Sequence, residues 1–229
     1  MCTCRGVASA ASLAALQLAS AAGVTTILTP APAGPVDSSL AAFVDILVPN
    51  EVEAAALTGL DCDDTQVQVI ARRLADDWNL RGCVITLGPR GAYVLDRSGD
   101  GAFVSRPADG AFANRSGDGG VSRSTDGGCG PAAHRRGSAG SGRELWVAAH
   151  SVATVDTVGA GDAFCGSLAA SLAAGAALAD AVRLANAAGA LSTTMHGAAT
   201  SCPPLTAARA LLDAQPVETS PFPAGRHSS

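Results

Sequence analysis

The sequence shows no excess of basic charge, no paired cysteine motif and no apolar run long enough to cross a bilayer. Its 15 Lys and Arg against 20 Asp and Glu leave a net charge of −5. That balance argues against nucleic acid or an anionic membrane as the main partner. It does not argue against a nucleotide, because backbone N–H groups can hold phosphate without side-chain charge. The seven cysteines (Cys2, Cys4, Cys62, Cys83, Cys129, Cys165 and Cys202) are scattered and odd in number. Neither a disulfide framework nor a zinc site is expected, and reduced thiols in the cytosol fit the pattern. Cys2-Thr3-Cys4 reads as a loose N-terminus rather than a metal clip. Aromatic residues are scarce, at 3%, and what remains is 48% hydrophobic and rich in Ala and Gly. This is a globular composition, sufficient for one domain with a substantial core.

The apolar stretch from Val7 to Ala22 follows Arg5 and has some look of a targeting segment, which leaves organellar targeting open. Ser9, Ser12, Gln17 and Ser20 interrupt it, and it runs through Gly23 into Val24-Thr25-Thr26-Ile27-Leu28. A helix capped by glycine and followed by a strand is the better reading. Val44–Val48 reads as a second buried strand, followed by a short helix from Glu51 to Thr58 closed by Gly59. Asp63-Asp64-Thr65 is placed to cap a further helix whose apolar face carries Val67, Ile70, Leu74 and Trp78. Cys83–Leu87 and Ala92–Leu95 read as strands joined by Gly88-Pro89-Arg90-Gly91. Short apolar strands alternating with helices imply an α/β fold with a parallel sheet covered on both faces. Residues 105–142 break the pattern with Gly, Ser, Arg and Asp and predict a disordered surface insertion. Order is expected to resume at Leu145–Ala148, with helices over 163–173, 178–194 and 204–212 and a loose tail from 216 to 229.

The stretch Asp156-Thr157-Val158-Gly159-Ala160-Gly161-Asp162-Ala163-Phe164 carries the most chemistry. Small residues at 159–161 let the backbone turn sharply and approach a ligand. A helix starting there aims free N–H groups and a positive dipole end outward, which makes an anion hole suited to a moving phosphoryl group. A carboxylate at Asp162 can accept the proton of an attacking hydroxyl. Spacing alone weighs that role evenly against ordinary helix capping.

This run resembles the second signature of the pfkB-type carbohydrate kinases, Asp-Thr-x-Gly-Ala-Gly-Asp-x-Phe-x-Gly, through Asp156, Thr157, Gly159, Ala160, Gly161, Asp162, Phe164 and Gly166. Thr29–Ala33, Val48–Ala54, Ile85–Gly91 and Ala185–Ser201 resemble ribokinase blocks in the same order. The resemblance implies a ribokinase-like sheet flanked by helices over residues 1–215, interrupted by 105–142. It implies that Asp162 deprotonates the primary hydroxyl of the sugar, with Gly159, Ala160 and Gly161 as the anion hole. Asn50 and Glu53 match an Asn-x-x-Glu motif that helps hold Mg²⁺ and phosphate through water, as a hard cation that keeps its waters would require. Without the family, the same pair reads as a helix cap. Thr86, Leu87, Gly88, Pro89, Arg90 and Gly91 would line the ATP site together with Asn50, Gly161 and Asp162, and Asn186 would lie by the nucleoside. Asp156, Val158, Ser192, Met195, Gly197 and Ser201 match a monovalent-cation (K⁺) site formed mostly by carbonyls. His196, in the same loop, reads as solvent-facing or structural.

The resemblance does not include the family's N-terminal portion, which supplies further strands, the sugar-reading Asp, Gly-Gly and Asn residues, and the lid. The expectation is therefore a fold truncated at its N-terminus: a fragment or truncated gene model of a kinase, a chain completed by a second one, or a nucleotide-binding module without turnover. The activity implied is ATP-dependent phosphorylation of ribose to ribose 5-phosphate, with another sugar or nucleoside as the alternative acceptor. The implied setting is cytosolic, without nucleic acid or membrane, and with homodimers allowed once the fold is complete.

Overall fold

In the computed structural model the described residues are 2–5, 9–63, 66–99, 103, 142–217 and 219–220. Their strands form a single sheet in chain order: β1 (Cys2–Arg5), β2 (Thr26–Thr29), β3 (Ile46–Leu47), β4 (Gly82–Thr86), β5 (Ala92–Asp96), β6 (Arg143–Val147) and β7 (Thr219–Ser220). Strands β1 to β4 are parallel to one another, and β5, β6 and β7 each run antiparallel to the preceding strand. The helices are α1 (Ser9–Ala21), α2 (Glu51–Thr58), α3 (Val67–Asp77), α4 (Ala160–Ala173), α5 (Leu178–Ser192) and α6 (Leu205–Ala214). None of them is long and apolar enough to cross a membrane.

Both faces of the sheet are covered because successive strand residues point to opposite sides. Leu28, Leu47, Cys83, Ile85, Tyr93 and Leu95 join one core with Leu16 of α1 and Ile70 and Leu74 of α3. Ile27, Ile46, Val84, Val94 and Val147 join the other with Phe164 and Leu168 of α4 and Leu178 and Val182 of α5. A run such as Cys83-Val84-Ile85 therefore looks continuously apolar in sequence while feeding two separate cores. The α6 helix extends a smaller cluster through Ala208 against Leu184, Ala187 and Ala188 of α5.

The helix-flanked sheet agrees with the sequence reading, with four local corrections. Strand β2 starts at Thr26 because Val24 N donates to Ala19 O and closes α1 behind Gly23, whose φ is 68°. Strand β3 is two residues long. Asp45, read as part of it, instead takes Thr26 N at 2.9 Å and Thr26 Oγ1 at 3.1 Å on its carboxylate. The loose N-terminus and loose tail each contain a paired segment: Cys2–Arg5 pairs with Thr26–Thr29, and Thr219 and Ser220 pair with Val147 and Trp146. Helix α4 starts three residues earlier than read, at Ala160, which puts Asp162 inside its first turn. The insertion predicted at 105–142 lies outside the described residues, apart from residue 142.

The switch to antiparallel pairing is made by the turn Gly88–Arg90. Leu87 N donates to Gly91 O at 2.8 Å, and Gly91 holds φ 99°. A Cβ on Gly91 would lie 2.0 Å from the Val147 carbonyl oxygen, so no side chain fits while β6 lies alongside. The hairpin of β5 and β6 pairs Ala92 with Val147 at one edge of the sheet and Asp96 with Arg143 at the other. Across the outer face, Arg72 of α3 grips Glu144 with two bonds, of 2.5 and 2.8 Å. Arg72 is about half exposed, so this pair adds little beyond orientation.

Candidate active site

The parallel strands β2, β3 and β4 end at one edge of the sheet, and β6 ends there too because two reversals restore its direction. Ligands of open α/β sheets bind at such carboxyl ends. A cleft of about 850 Å³ opens there, lined at successive strand ends by Thr29, Val48, Thr86, Gly91 and Ala149. The N-terminal turn of α4, with Gly159, Ala160, Gly161 and Asp162, forms part of the same lining.

Gly159 caps α4 with φ 85°, and a Cβ there would lie 2.8 Å from both Cα and O of Ala198. The turn is thus wedged against the 193–201 loop. The first rung of the helix is Ala163 N to Gly159 O at 2.9 Å, which leaves the Gly161 N–H upstream of the ladder. Ala160 N is less available, because it donates to Thr157 O at 3.3 Å. Asp162 is solvent-exposed in this first turn. A carboxylate above a helix N-terminus can take up a proton while the N–H groups below it stabilise negative charge.

Asn50 and Glu53 sit at the start of α2, where Pro49 and Asn50 leave β3. Glu53 N donates to Asn50 Oδ1 at 2.9 Å, and Asn50 N donates to Glu53 Oε2 at 2.8 Å. This reciprocal capping box is the local reason for the motif. It also limits what these groups can do for a cation: the single side-chain oxygen of Asn50 and one of the two of Glu53 accept from backbone, so contact through water suits them better than a direct cage. Among the described residues no group of three or more His, Cys, Asp and Glu could form such a cage. Both residues line the cleft with Thr86, Gly88, Pro89 and Gly91. Leu87 does not, because its side chain is buried in the core beneath the turn. Arg90 is not among the lining residues and forms an ion pair with Glu51 of α2, which is.

Asn186 of α5 is buried and lines the cleft, but its Nδ2 already donates to Val147 O and Ala148 O, both at 3.2 Å. Its first task is to pin the end of β6 to α5. Asp156 ties two loops together, with Oδ1 accepting from Val158 N at 3.0 Å and Oδ2 from Gly197 N at 3.1 Å. These backbone donors, Val158 first, hold its carboxyl below the usual carboxylate range. His196 Nδ1 lies 4.0 Å from the same carboxylate with its ring largely exposed. Of the other residues read as a cation site, Ser192 and Ser201 are buried with hydroxyls donating to Gly189 O and Ala198 O, while Val158 and Met195 are exposed. None of the six lines the cleft.

Glu51, Cys165 and His150 are among the lining residues that the sequence does not mark. Glu51 holds Arg90. Cys165 lies one helical step beyond Phe164, with Sγ 3.3 Å from Thr29 Oγ1, joining α4 to the end of β2. His150 follows β6 and is 6% exposed, and neither ring nitrogen has a hydrogen-bond partner among the described residues. The Arg183 carbonyl stands beside the ring without meeting hydrogen-bond geometry, and burial pushes the imidazole pKa down. An unpaired buried polar group costs about 1–3 kcal/mol, so the position is unusual. Nothing in the local sequence marks it, because its burial comes from α5 packing over a loop.

A family model described as pfkB family carbohydrate kinase matches residues 3–111 and 133–205. Ribokinase of Haemophilus influenzae is 32% identical over 189 residues, covering 82% of this chain and 47% of that protein. The structure of Arabidopsis thaliana ribokinase complexed with ribose and ATP superposes with a TM-score of 0.68 at 20% identity, covering 92% of this chain and 55% of that one. Phosphofructokinase-2 from Escherichia coli in complex with potassium superposes with a TM-score of 0.62 at 20% identity, covering 93% and 55%. The chain spans about half the length of the curated relatives it matches.

Proposed function

The chain belongs to the pfkB family of carbohydrate kinases, and from that footing we propose that it is the phosphoryl-transfer portion of an ATP-dependent kinase acting on ribose at its 5-hydroxyl. The observation that carries this reading is the convergence, on one cleft, of the Gly159–Asp162 helix start, the Asn50–Glu53 cap and the Gly88–Gly91 turn. These come from three separate places in the chain.

In this reading Asp162 accepts the hydroxyl proton as the sugar oxygen attacks the γ-phosphorus. The new O–P bond forms as the bond to the β-phosphate oxygen breaks, and ADP leaves. The Gly161 N–H and the dipole of α4 stabilise the charge on the transferring group. Asn50 and Glu53 would hold a magnesium ion through its waters, and the ion would neutralise charge on the nucleotide phosphates. The Gly88–Gly91 turn admits the nucleotide by close backbone approach, and Asn186 keeps the end of β6 in place beside it. Asp156 with the carbonyls of the 193–201 loop suits a monovalent cation such as K⁺, because its carboxylate stays ionised and joins both loops. The reading places this work on soluble small molecules in the cytosol and allows a homodimer.

The acceptor is the narrower part of the proposal. Ribose rests on the identity to ribokinases, and a different sugar or nucleoside is the second reading, favoured by the similar fold of phosphofructokinase-2. Calorimetry with ATP·Mg²⁺ and an ADP-release assay across ribose, fructose 6-phosphate and nucleosides test it. Ribose-dependent ADP release supports the reading. Binding without turnover for any acceptor reduces the chain to a nucleotide-binding module, and a folded chain that binds no ATP ends the proposal.

A further inference from the structure

Two internal rulers locate His150 within the cleft. Along the sheet edge, the carboxylate Glu53 follows β3, while His150 follows β6. Three strand spacings separate those positions, roughly 14 Å at the usual spacing. Along α5, Gly189 faces Ala160 O at the start of α4, Asn186 holds Val147 and Ala148, and Arg183 borders His150. Six residues of helix separate the first contact from the last, about 9 Å. His150 therefore lies at the end of the cleft away from both the α2 cap and the α4 turn, with room for a sugar and phosphates between.

The chemistry of the two ends differs. The cleft's charged lining residues are Glu51, Glu53 and Asp162, all in the first turns of α2 and α4. The His150 end is lined by Ala149, Ser151, Val152 and Asn186, all uncharged, while Arg183, which borders the ring, is not among the lining residues. An end without lining carboxylates that carries an imidazole suits a flat uncharged group with donors and acceptors on its rim. His150 supplies one donor and one acceptor when neutral, and both are without partners among the described residues.

We propose that His150 is a specificity-determining residue of the nucleotide site, whose ring nitrogens hydrogen-bond the edge of the purine base and set the preference between bases. This rests on the nucleotide-binding reading of the cleft and adds a residue that the motifs do not supply.

The test uses the full chain and measures the Kd of ATP, GTP and 2′-deoxy-ATP for wild type, His150→Phe and His150→Gln. Thermal melts check that each variant is folded. Loss of one hydrogen bond to the base predicts about tenfold weaker ATP binding in His150→Phe, with the ATP-to-GTP ratio moving towards one. His150→Gln, which keeps a donor and an acceptor, is expected to recover most of both. In the wild type, the ¹⁵N resonances of the His150 ring are expected to shift on ADP binding. A folded His150→Phe with unchanged ATP affinity and base preference overturns the inference alone. So does a change confined to discrimination of 2′-deoxy-ATP, which would assign the ring to the ribose. A wild-type chain that binds no nucleotide removes the reading beneath the inference, and the inference with it.

Discussion

Gly91→Ala is the sharpest test of how the cleft edge is built. The added Cβ would stand 2.0 Å from Val147 O and 2.8 Å from Ala148 C and Ala149 N. A carbon and a carbonyl oxygen tolerate roughly 3.3 Å, so β5 and β6 would have to part by more than about 1 Å at the Ala92–Val147 rung. All three obstacles are backbone atoms and cannot rotate away. Gly91 also holds φ 99° and ψ −134°, which adds strain for any L-residue. Together these predict a loss of roughly 3–5 kcal/mol. For a chain of this size that is a fall in Tm of about 10 °C. Gly59→Ala is the control. Gly59 has φ 70° at the end of α2, but nothing lies within 4 Å of its added Cβ. Its cost should be the conformational strain alone, about 1–2 kcal/mol. Melts followed by circular dichroism compare the two directly. Equal Tm values for the two variants would refute the claim that the β5–β6 contact excludes a side chain at 91.

Four further outcomes are expected. Asp162→Asn should lower turnover by about 10²–10⁴-fold while leaving ATP affinity intact; a variant retaining most of its activity would remove Asp162 as the base. Asn50→Ala should cost about 1 kcal/mol in urea melts by opening the cap of α2, and no loss would contradict the reciprocal bonds to Glu53. His150 has its folded pKa below the usual 6.5, so the unfolded chain binds the extra proton first. Stability should therefore fall as pH drops below about 6.5 and level off below the folded pKa, and His150→Phe should flatten that slope in pH-dependent melts. Turnover in choline-only buffer should be slower than in potassium buffer; equal rates would count against the cation reading of Asp156.

The parts of this molecule legible in its sequence are those where local chemistry and final geometry agree. Helix α2 matched residue for residue from Glu51 to Thr58, because Asn50, Glu53 and Gly59 specify its ends without help from the rest of the fold. The Gly159–Asp162 turn is equally plain, but a glycine-rich entry looks like loop, so the sequence does not show that α4 already begins at Ala160. Strand β3 is shorter than its apolar run because Val44 and Val48 flank the ladder while still burying their side chains in the two cores. β1 and β7 carry no sequence signal of their own, because such short segments gain their pairing only from a neighbouring strand. His150 was invisible for a related reason, since a loop histidine becomes a buried one only when α5 covers it.

The β5–β6 hairpin also bears on how such a chain can change over time. Its cleft end is fixed by Gly91 and Val147, while the chain leaves Asp96 and returns at Arg143 at the opposite edge, four residue steps or about 14 Å away. Selection can therefore add or delete residues between Phe103, which is buried in the core, and residue 142 with little penalty at the cleft edge, whereas one methyl group at residue 91 meets backbone at 2.0 Å. Tolerance in this lineage should follow distance along that hairpin, with length drifting freely at one end and atoms counted at the other.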